Sequence, residues 1–170
     1  YTIPSNGKQY MVDVKNYTLN ASYYYNAVPK LDKDVFLTAY IKDWESLNLV
    51  QGDASVYFQN TYVGNTFINT RNTADSLLFS LGRDKRLIIT REKLTDFSSK
   101  QFMGNSITRT YNFEFTLKNT KSQPAEITFE DQVPVSQNSD IEIKLLEADG
   151  GTFNAENGLI TWKVNVGPGE

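Results

Sequence analysis

The chain has 170 residues, of which 39% are hydrophobic and 13% are aromatic, and its formal net charge is −3. A chain of this length can bury a sizeable core without disulfides or metal ions. Its 17 basic residues are mixed with 20 acidic ones, so no basic face is predicted and a nucleic-acid partner is not expected. No apolar stretch approaches the roughly 20 residues of a membrane span, so no membrane insertion is expected within this chain.

The sequence contains neither cysteine nor histidine. Zinc and copper sites take their ligands from thiolates and imidazoles, so neither metal is expected here. Nucleophilic systems that need a cysteine or a histidine base are excluded within this chain. A carboxylate-only site for Mg²⁺ or Ca²⁺ stays open in principle. We therefore expect a domain without a cofactor and without a catalytic centre.

Alternating apolar and polar residues predict β-strands in the first half of the chain, and no helix longer than about two turns is expected. Two of the predicted features are hairpins, each with a short polar turn between its strands. The predicted strands are Gln9–Val14, Thr18–Tyr25, Val35–Lys42, the hairpin Ala54–Gln59 with Tyr62–Ile68, and the pair Leu77–Leu81 with Arg86–Arg91.

The second half begins with the polar and small residues 94–106, which predict a linker or a long loop. Four further strands follow at a spacing typical of immunoglobulin-like sandwiches. The sequence thus predicts an all-β fold of two β-sandwich units, residues 1–98 and residues 99–170, the second immunoglobulin- or fibronectin-like. The strands predicted in this second unit are Thr110–Lys118, Ala125–Asp131, Ile141–Leu146 and Leu159–Val166.

Five residues are candidates for ligand contact. Tyr23, Tyr24 and Tyr25 could form a stacking platform, although alternation in a strand would place Tyr24 on the opposite side from the other two. Packing between sheets is the favoured role for these rings. Lys30 and Asp32 lie in a polar loop, where turn formation is the simpler interpretation. No spacing of acidic residues marks the facing carboxylate pair that glycoside hydrolysis requires.

One short motif suggests a modification. Asp75-Ser76-Leu77 resembles the acceptor motif for O-glycosylation of secreted proteins in some gut bacteria. The motif is only three residues long, so matches by chance are common.

Several segments together resemble a known family, and they are spread along nearly the whole chain. The most distinctive is Tyr25–Asp32 followed by Val35–Ala39. On these segments the chain resembles the C-terminal domain of the mucoidy-inhibitor-A-like family, a domain of unknown function in bacterial envelope proteins. The remaining segments are Ile3–Gly7, Trp44–Leu49, Gly52–Tyr57, Tyr62–Gly64, Ser80–Asp84, Arg91, Tyr111–Asn119, Asp131–Ser136, Gly158–Trp162 and Gly167–Glu170.

The resemblance implies secretion to the periplasm or the cell surface, with no enzyme activity and no assigned functional residues. In that family an N-terminal domain with a coiled-coil stretch precedes this region, which implies a route to oligomers outside the chain. The Gly167–Glu170 end is usually followed by one more strand, so the resemblance implies a fragment with an open sheet edge.

Three functional hypotheses follow. The first is a non-catalytic structural or protein-interaction module of an envelope protein, whose partner is an envelope protein or a glycan. The second is a carbohydrate-binding module, which requires two or three coplanar rings on an exposed face. The third is a carboxylate-only hydrolase, which requires two facing acids in a deep pocket. The composition favours the first.

Overall fold

A computed structural model describes residues 2–10, 13–70, 76–103 and 106–170. The described residues contain no α-helix, only one short 3₁₀-helix, Trp44–Leu47, so the predicted all-β class is confirmed. The strands are β1 Ala21–Ala27, β2 Asp34–Lys42, β3 Gly52–Phe58, β4 Thr61–Ile68, β5 Ser76–Met103, β6 Ser106–Asn119, β7 Ala125–Gln132, β8 Thr152–Asn154 and β9 Leu159–Val166.

The strands form one large sheet and one small sheet. Seven strands make the large sheet in the order β6-β5-β2-β1-β7-β9-β8, and β3 pairs with β4 in the small one. The β1–β7 pairing is parallel, while the other pairs in the large sheet are antiparallel. The hairpin between β3 and β4 turns at Gln59 and Asn60, whose φ angles of 48° and 61° are those of a tight type I′ turn.

The core lies between distant strands of the large sheet. Leu87 and Ile89 of β5 share one buried cluster with Ile127 and Phe129 of β7, although β2 and β1 lie between these strands in the sheet. Trp162 of β9 stacks on Phe129, with ring centroids 4.8 Å apart. The sheet therefore coils until its inner faces meet, as two layers do in a sandwich.

The inner faces meet most closely at the end of β6. Asn119 is fully buried and donates from its side-chain Nδ2 to the carbonyl of Val166 on β9, at 3.1 Å, and to the carbonyl of Gln123, at 2.9 Å. Its backbone exchanges two hydrogen bonds with Gly169 and Glu170. One residue therefore joins the two strands, β6 and β9, whose backbones form no ladder with each other.

The small sheet covers the rest of the inner face. Ala21 and Tyr23 of β1 and Ala39 of β2 face Ala54 and Val56 of β3 across a cleft of about 310 Å³. The lining is mostly apolar, so the β3–β4 hairpin extends the core beyond the coiled part of the large sheet.

Three predictions for the middle of the chain are wrong. Leu77–Leu81 and Arg86–Arg91 are not paired with each other but belong to the single strand β5. The residues between them bend the strand, with Gly82 at φ 86° and register shifts against β2, instead of reversing it. The predicted linker is also strand, because residues 94–103 and 106 extend β5 and β6.

Two predicted strands are missing. Ile141–Leu146 lies outside every strand in spite of its alternating pattern, and it forms part of the connection from β7 to β8. Within Gln9–Val14, residues 9, 10, 13 and 14 also lie outside the strands, and residues 11 and 12 fall outside the described part of the chain.

The boundary predicted between residues 98 and 99 falls within β5. The large sheet contains strands from both sides of this boundary, joined by the β5–β6 and β1–β7 ladders. The division into two β-sandwich units stays a prediction. The immunoglobulin-like arrangement expected for residues 99–170 is not confirmed, because β6 lies at one side of the sheet and β7, β9 and β8 lie at the other.

Ile89→Ala is expected to lower the free energy of unfolding by about 2–5 kcal/mol, because Ile89 is fully buried and its removal leaves a cavity. Ile88→Ala is the matched control, since Ile88 is the next residue on the same strand and is 41% exposed. It should cost less than about 1 kcal/mol. Urea denaturation measures both, and equal losses for the two variants would contradict the assignment of the core.

Candidate functional site

The three tyrosines predicted for ligand contact lie on two faces of β1. Tyr23 is 57% exposed at the rim of the cleft beneath the small sheet, and Tyr25 is half-buried against the core. Tyr24 lies on the opposite face, where its ring meets Tyr40 edge-on at 4.7 Å and 78°. The alternation along the strand is as predicted, so the three rings do not form one platform.

Lys30 and Asp32 are engaged in separate contacts. Lys30 Nζ donates to the carbonyl of Gln132 at 3.3 Å. Asp32 accepts a hydrogen bond from the backbone of Asp34 at 3.1 Å and pairs with Arg83 at 3.0 Å. The structure does not bring the five predicted residues into one site, and their ligand contacts stay predictions. Asp75 of the predicted glycosylation motif lies outside the described residues.

A polar cleft of about 300 Å³ lies between the small sheet and the large one. Five elements position its side chains: β1, β2, the β3–β4 turn, the bend of β5 and the turn from β6 to β7. Asn119 fixes the last of these, because its side-chain oxygen accepts from the backbone of Lys121 at 2.9 Å. The lining residues are Tyr25, Leu37, Phe58, Gln59, Asp84, Arg86, Lys121, Ser122 and Gln123.

Lys121 is the centre of the polar cleft. Its ammonium group pairs with Asp84 at 2.9 Å and contacts the hydroxyl of Tyr25. Asp84 also accepts from the backbone and the guanidinium of Arg86, at 3.1 and 3.3 Å. The two side chains of the pair are only 15% and 11% exposed, so each charge depends on the other for stabilisation.

Both pKa values in this pair favour the charged forms. Burial works against ionisation of Asp84, but the hydrogen bonds from Lys121 and Arg86 outweigh it and hold its pKa below 3.8. Burial likewise disfavours the Lys121 ammonium, but the contacts with Tyr25 and Asp84 outweigh it and raise its pKa above 10.5. Asp84 and Lys121 therefore form a structural ion pair across the cleft.

The polar cleft offers one acid where glycoside hydrolysis uses two. Of the described residues that line it, Asp84 alone carries a carboxylate, and that carboxylate is held ionised by its partners. Among the described residues no group of three acidic side chains is close enough together to hold a metal ion. The arrangement thus presents polar and charged groups that are satisfied by one another.

Lys121→Met is expected to lower the free energy of unfolding at neutral pH by about 2 kcal/mol, because Asp84 loses its charged partner in a mostly buried position. The loss should shrink below pH 3.8, where Asp84 becomes protonated, and above pH 10.5, as Lys121 of the parent chain loses its charge. Lys118→Met at an exposed position is the control. The unfolding free energies of the parent chain and of Lys121→Met, measured across this pH range, check this dependence. A difference between them that does not change with pH would contradict it.

A second ionic group braces the bend of β5. Asp34 at the start of β2 pairs with Lys85 at 2.6 Å and with Arg83 at 2.5 Å. Hydrogen bonds from Lys85, and then from Arg83, lower the pKa of Asp34 below 3.8. Arg83 also covers the ring of Phe36 at 5.2 Å. Arg83 and Lys85 are exposed to solvent, so the group holds local geometry more than it adds stability.

A third ionic group marks the far end of the core. Arg91 on β5 pairs with Asp131 on β7 at 2.9 Å, and its guanidinium lies 3.7 Å from the centre of the Phe113 ring. Asp131 is 7% exposed. Its second oxygen, Oδ1, has no hydrogen-bond partner within the described part of the chain. The charge of Asp131 therefore depends on Arg91.

Beyond this pair, β5 and β6 continue together as an arm, residues 92–103 and 106–114. Cross-strand partners share a face, so Lys93 and Phe113 lie on the same face of the arm as Tyr111, whose ring Lys93 covers at 4.3 Å. Alternation along β6 adds Ile107 and Arg109 to this face. Tyr111 and Ile107 are 51% and 53% exposed, so the face is open to solvent.

The opposite face of the arm is acidic. Glu92 and Glu114 lie directly opposite each other and are both exposed. Lys93, Tyr111 and Phe113 thus lie on one face of the arm, and Glu92 and Glu114 lie on the other. Sequence reasoning missed this arrangement because it depends on the register between two strands that were not predicted to pair.

Arg91→Met is expected to lower the free energy of unfolding by about 3–5 kcal/mol, because it leaves the carboxylate of Asp131 buried without a charged partner. The double variant Arg91→Met/Asp131→Asn should regain a large part of that loss. Lys93→Met, at an exposed position of the same strand, should cost less than about 1 kcal/mol. Urea denaturation tests all three, and a double variant no more stable than Arg91→Met would contradict this dependence.

The fold and its three ionic groups define an all-β domain in which the mostly buried charges of Asp84, Lys121 and Asp131 are paired. The family model described as "Domain of unknown function (DUF4139)" matches residues 1–170, so the chain belongs to this family. Comparison with curated proteins and with solved structures gave no match. No helix among the described residues is long and apolar enough to cross a membrane.

Proposed function

We propose that this chain is a non-catalytic protein-interaction module of a bacterial envelope protein. We further propose that it belongs, within its family of unknown function, to the mucoidy-inhibitor-A-like proteins and acts in the periplasm or at the cell surface. The placement in the envelope is supported by the sequence resemblance, which extends along nearly the whole chain. The interaction role is supported by the arm.

The arm carries the proposal because folding does not account for its side chains. Tyr111, Phe113 and Ile107 are 51%, 38% and 53% exposed, and they lie beyond the Arg91–Asp131 pair at the end of the core. Contiguous apolar side chains that stay exposed on a projecting element are typical of surfaces that bind a partner. Neighbouring cations on the same face would add selectivity for an acidic surface.

The alternative of carbohydrate binding requires coplanar rings on an exposed face. The exposed pairs Tyr24–Tyr40 and Tyr57–Tyr62 meet at 78° and 62°, which is an edge-to-face arrangement. The stacked pair Phe129–Trp162 is coplanar within 10°, but its rings pack in the core. These geometries give the carbohydrate hypothesis no specific support, and protein binding is the function that we favour.

Site-specific cross-linking in the full-length protein tests the proposal. A photo-reactive amino acid is placed at Tyr111 in the arm and, as a control, at Asn165, which is exposed on β9. Irradiation of intact cells should give a discrete adduct with an envelope protein at residue 111 and none at residue 165. Equal labelling at both positions, no adduct at residue 111, or recovery of the protein from the cytoplasm alone would contradict the proposal.

A further inference from the structure

The connection from β7 to β8 contains a segment with the pattern of a strand but no strand partner. Ile141–Leu146 alternates apolar and polar residues and yet lies outside both sheets. Ile141, Ile143 and Leu146 are 54%, 40% and 78% exposed. An extended segment with these side chains in water gains free energy when a complementary surface covers it.

This segment is also strongly acidic. Residues 140–149 contain Asp140, Glu142, Glu147 and Asp149, and Lys144 is the one basic residue among them. Glu142 pairs with Lys144 at 2.8 Å on the exposed surface. We call residues 140–149 the acidic segment.

The basic face of the arm complements the acidic segment in two respects. It offers the cations Lys93 and Arg109, and it offers exposed apolar area at Ile107 and Tyr111. Two carboxylates of the arm, Glu92 and Glu114, lie on the other face. Opposite charges and apolar side chains are therefore available on both surfaces.

Both surfaces follow residues of the Arg91–Asp131 pair along the chain. β5 continues past Arg91 into the arm, and β7 continues past Asp131 into the connection that contains the acidic segment. Within one chain they do not cover each other, because Tyr111 stays 51% exposed and Ile143 stays 40% exposed. A two-fold axis that places the acidic segment of one copy on the arm of the other forms the same contact twice.

We propose that the arm binds the acidic segment of a second copy of this chain, which makes the protein a two-fold dimer. The inference rests on the proposed function in one respect, namely that the basic face of the arm is an interaction surface. It goes further in naming the occupant of that face. Other proteins with acidic extended segments are alternatives that the experiment distinguishes.

Charge reversal on each side tests the dimer. The arm variant is Lys93→Glu/Arg109→Glu, the segment variant is Asp140→Lys/Glu142→Lys/Glu147→Lys, and a third variant combines the two. Glu92→Lys/Glu114→Lys is the matched control, since it reverses two charges on the same arm but on the other face. Circular dichroism and urea unfolding establish that every variant is folded.

Sedimentation velocity and light scattering on the full chain, from about 1 µM to about 1 mM, measure the dimer dissociation constant. The arm variant and the segment variant should each raise this dissociation constant at least about tenfold. The combined variant, which restores opposite charges across the contact, should recover most of the lost affinity. The control should stay within about threefold of the parent chain, and Ile143→Asp should weaken the dimer as the charge reversals do.

A parent chain that stays monomeric throughout this range overturns the inference, as does a dimer that is unchanged by the arm and segment variants. The proposed function fails separately, when residue 111 cross-links to no protein in the envelope. A monomeric chain that still cross-links to a different envelope protein through residue 111 would remove the dimer and retain the interaction module.

Discussion

The fold depends on the closure of the large sheet at Asn119. A sheet of seven strands with its two sides apart would leave the inner faces of β5, β7 and β9 in water. Asn119 uses its backbone and its amide nitrogen to hold the end of β6 against β9 and residues 167–170. A buried amide with its hydrogen bonds satisfied fixes one arrangement, because any displacement leaves polar groups without partners. The aromatic cluster of Phe115, Phe129 and Trp162 then packs between the faces.

The same residue connects the core to the polar cleft. The side-chain oxygen of Asn119 accepts a hydrogen bond from the backbone of Lys121. This contact sets the turn that directs the ammonium group of Lys121 towards Asp84. The ion pair, in turn, reaches the bend of β5, where Asp34 holds the neighbouring residues Arg83 and Lys85. Consecutive polar contacts thus link the closed end of the sheet to the polar cleft and the polar cleft to the bend of β5.

The parts of the fold that could be predicted from the sequence are those that depend on the pattern within one segment. Parts that depend on contacts between distant segments could not be predicted. Val35–Lys42 and Leu159–Val166 were predicted closely, because alternate residues in these strands face the core. Gly82–Lys85 has the composition of a turn. Only its contacts with Asp34 on β2 and with Lys121 in the turn from β6 to β7 show why the chain bends there instead of reversing. Residues 94–106 are polar because a projecting arm has no core to face, so the pattern that predicts buried strands is missing.

The site was less predictable than the fold for the same reason. Tyr25 and Lys121 are 96 residues apart in the chain and Asp84 lies between them, and no spacing in the sequence relates three such positions. The opposite case is Ile141–Leu146, where a clear strand pattern is present and the segment pairs with no strand among the described residues. An alternating pattern shows that a segment is suited to form a strand. Whether it forms one also depends on a partner strand, which the pattern does not identify.

The continuity of β5 has a mechanical consequence. Its 28 residues run from the edge of the small sheet, through the bend and the core, to the arm without a reversing turn. A strand rises about 3.3 Å per residue, so a pull on the arm is transmitted along one backbone over several tens of ångströms. That load would act in shear on the rows of hydrogen bonds to β2 and β6, which share it in parallel.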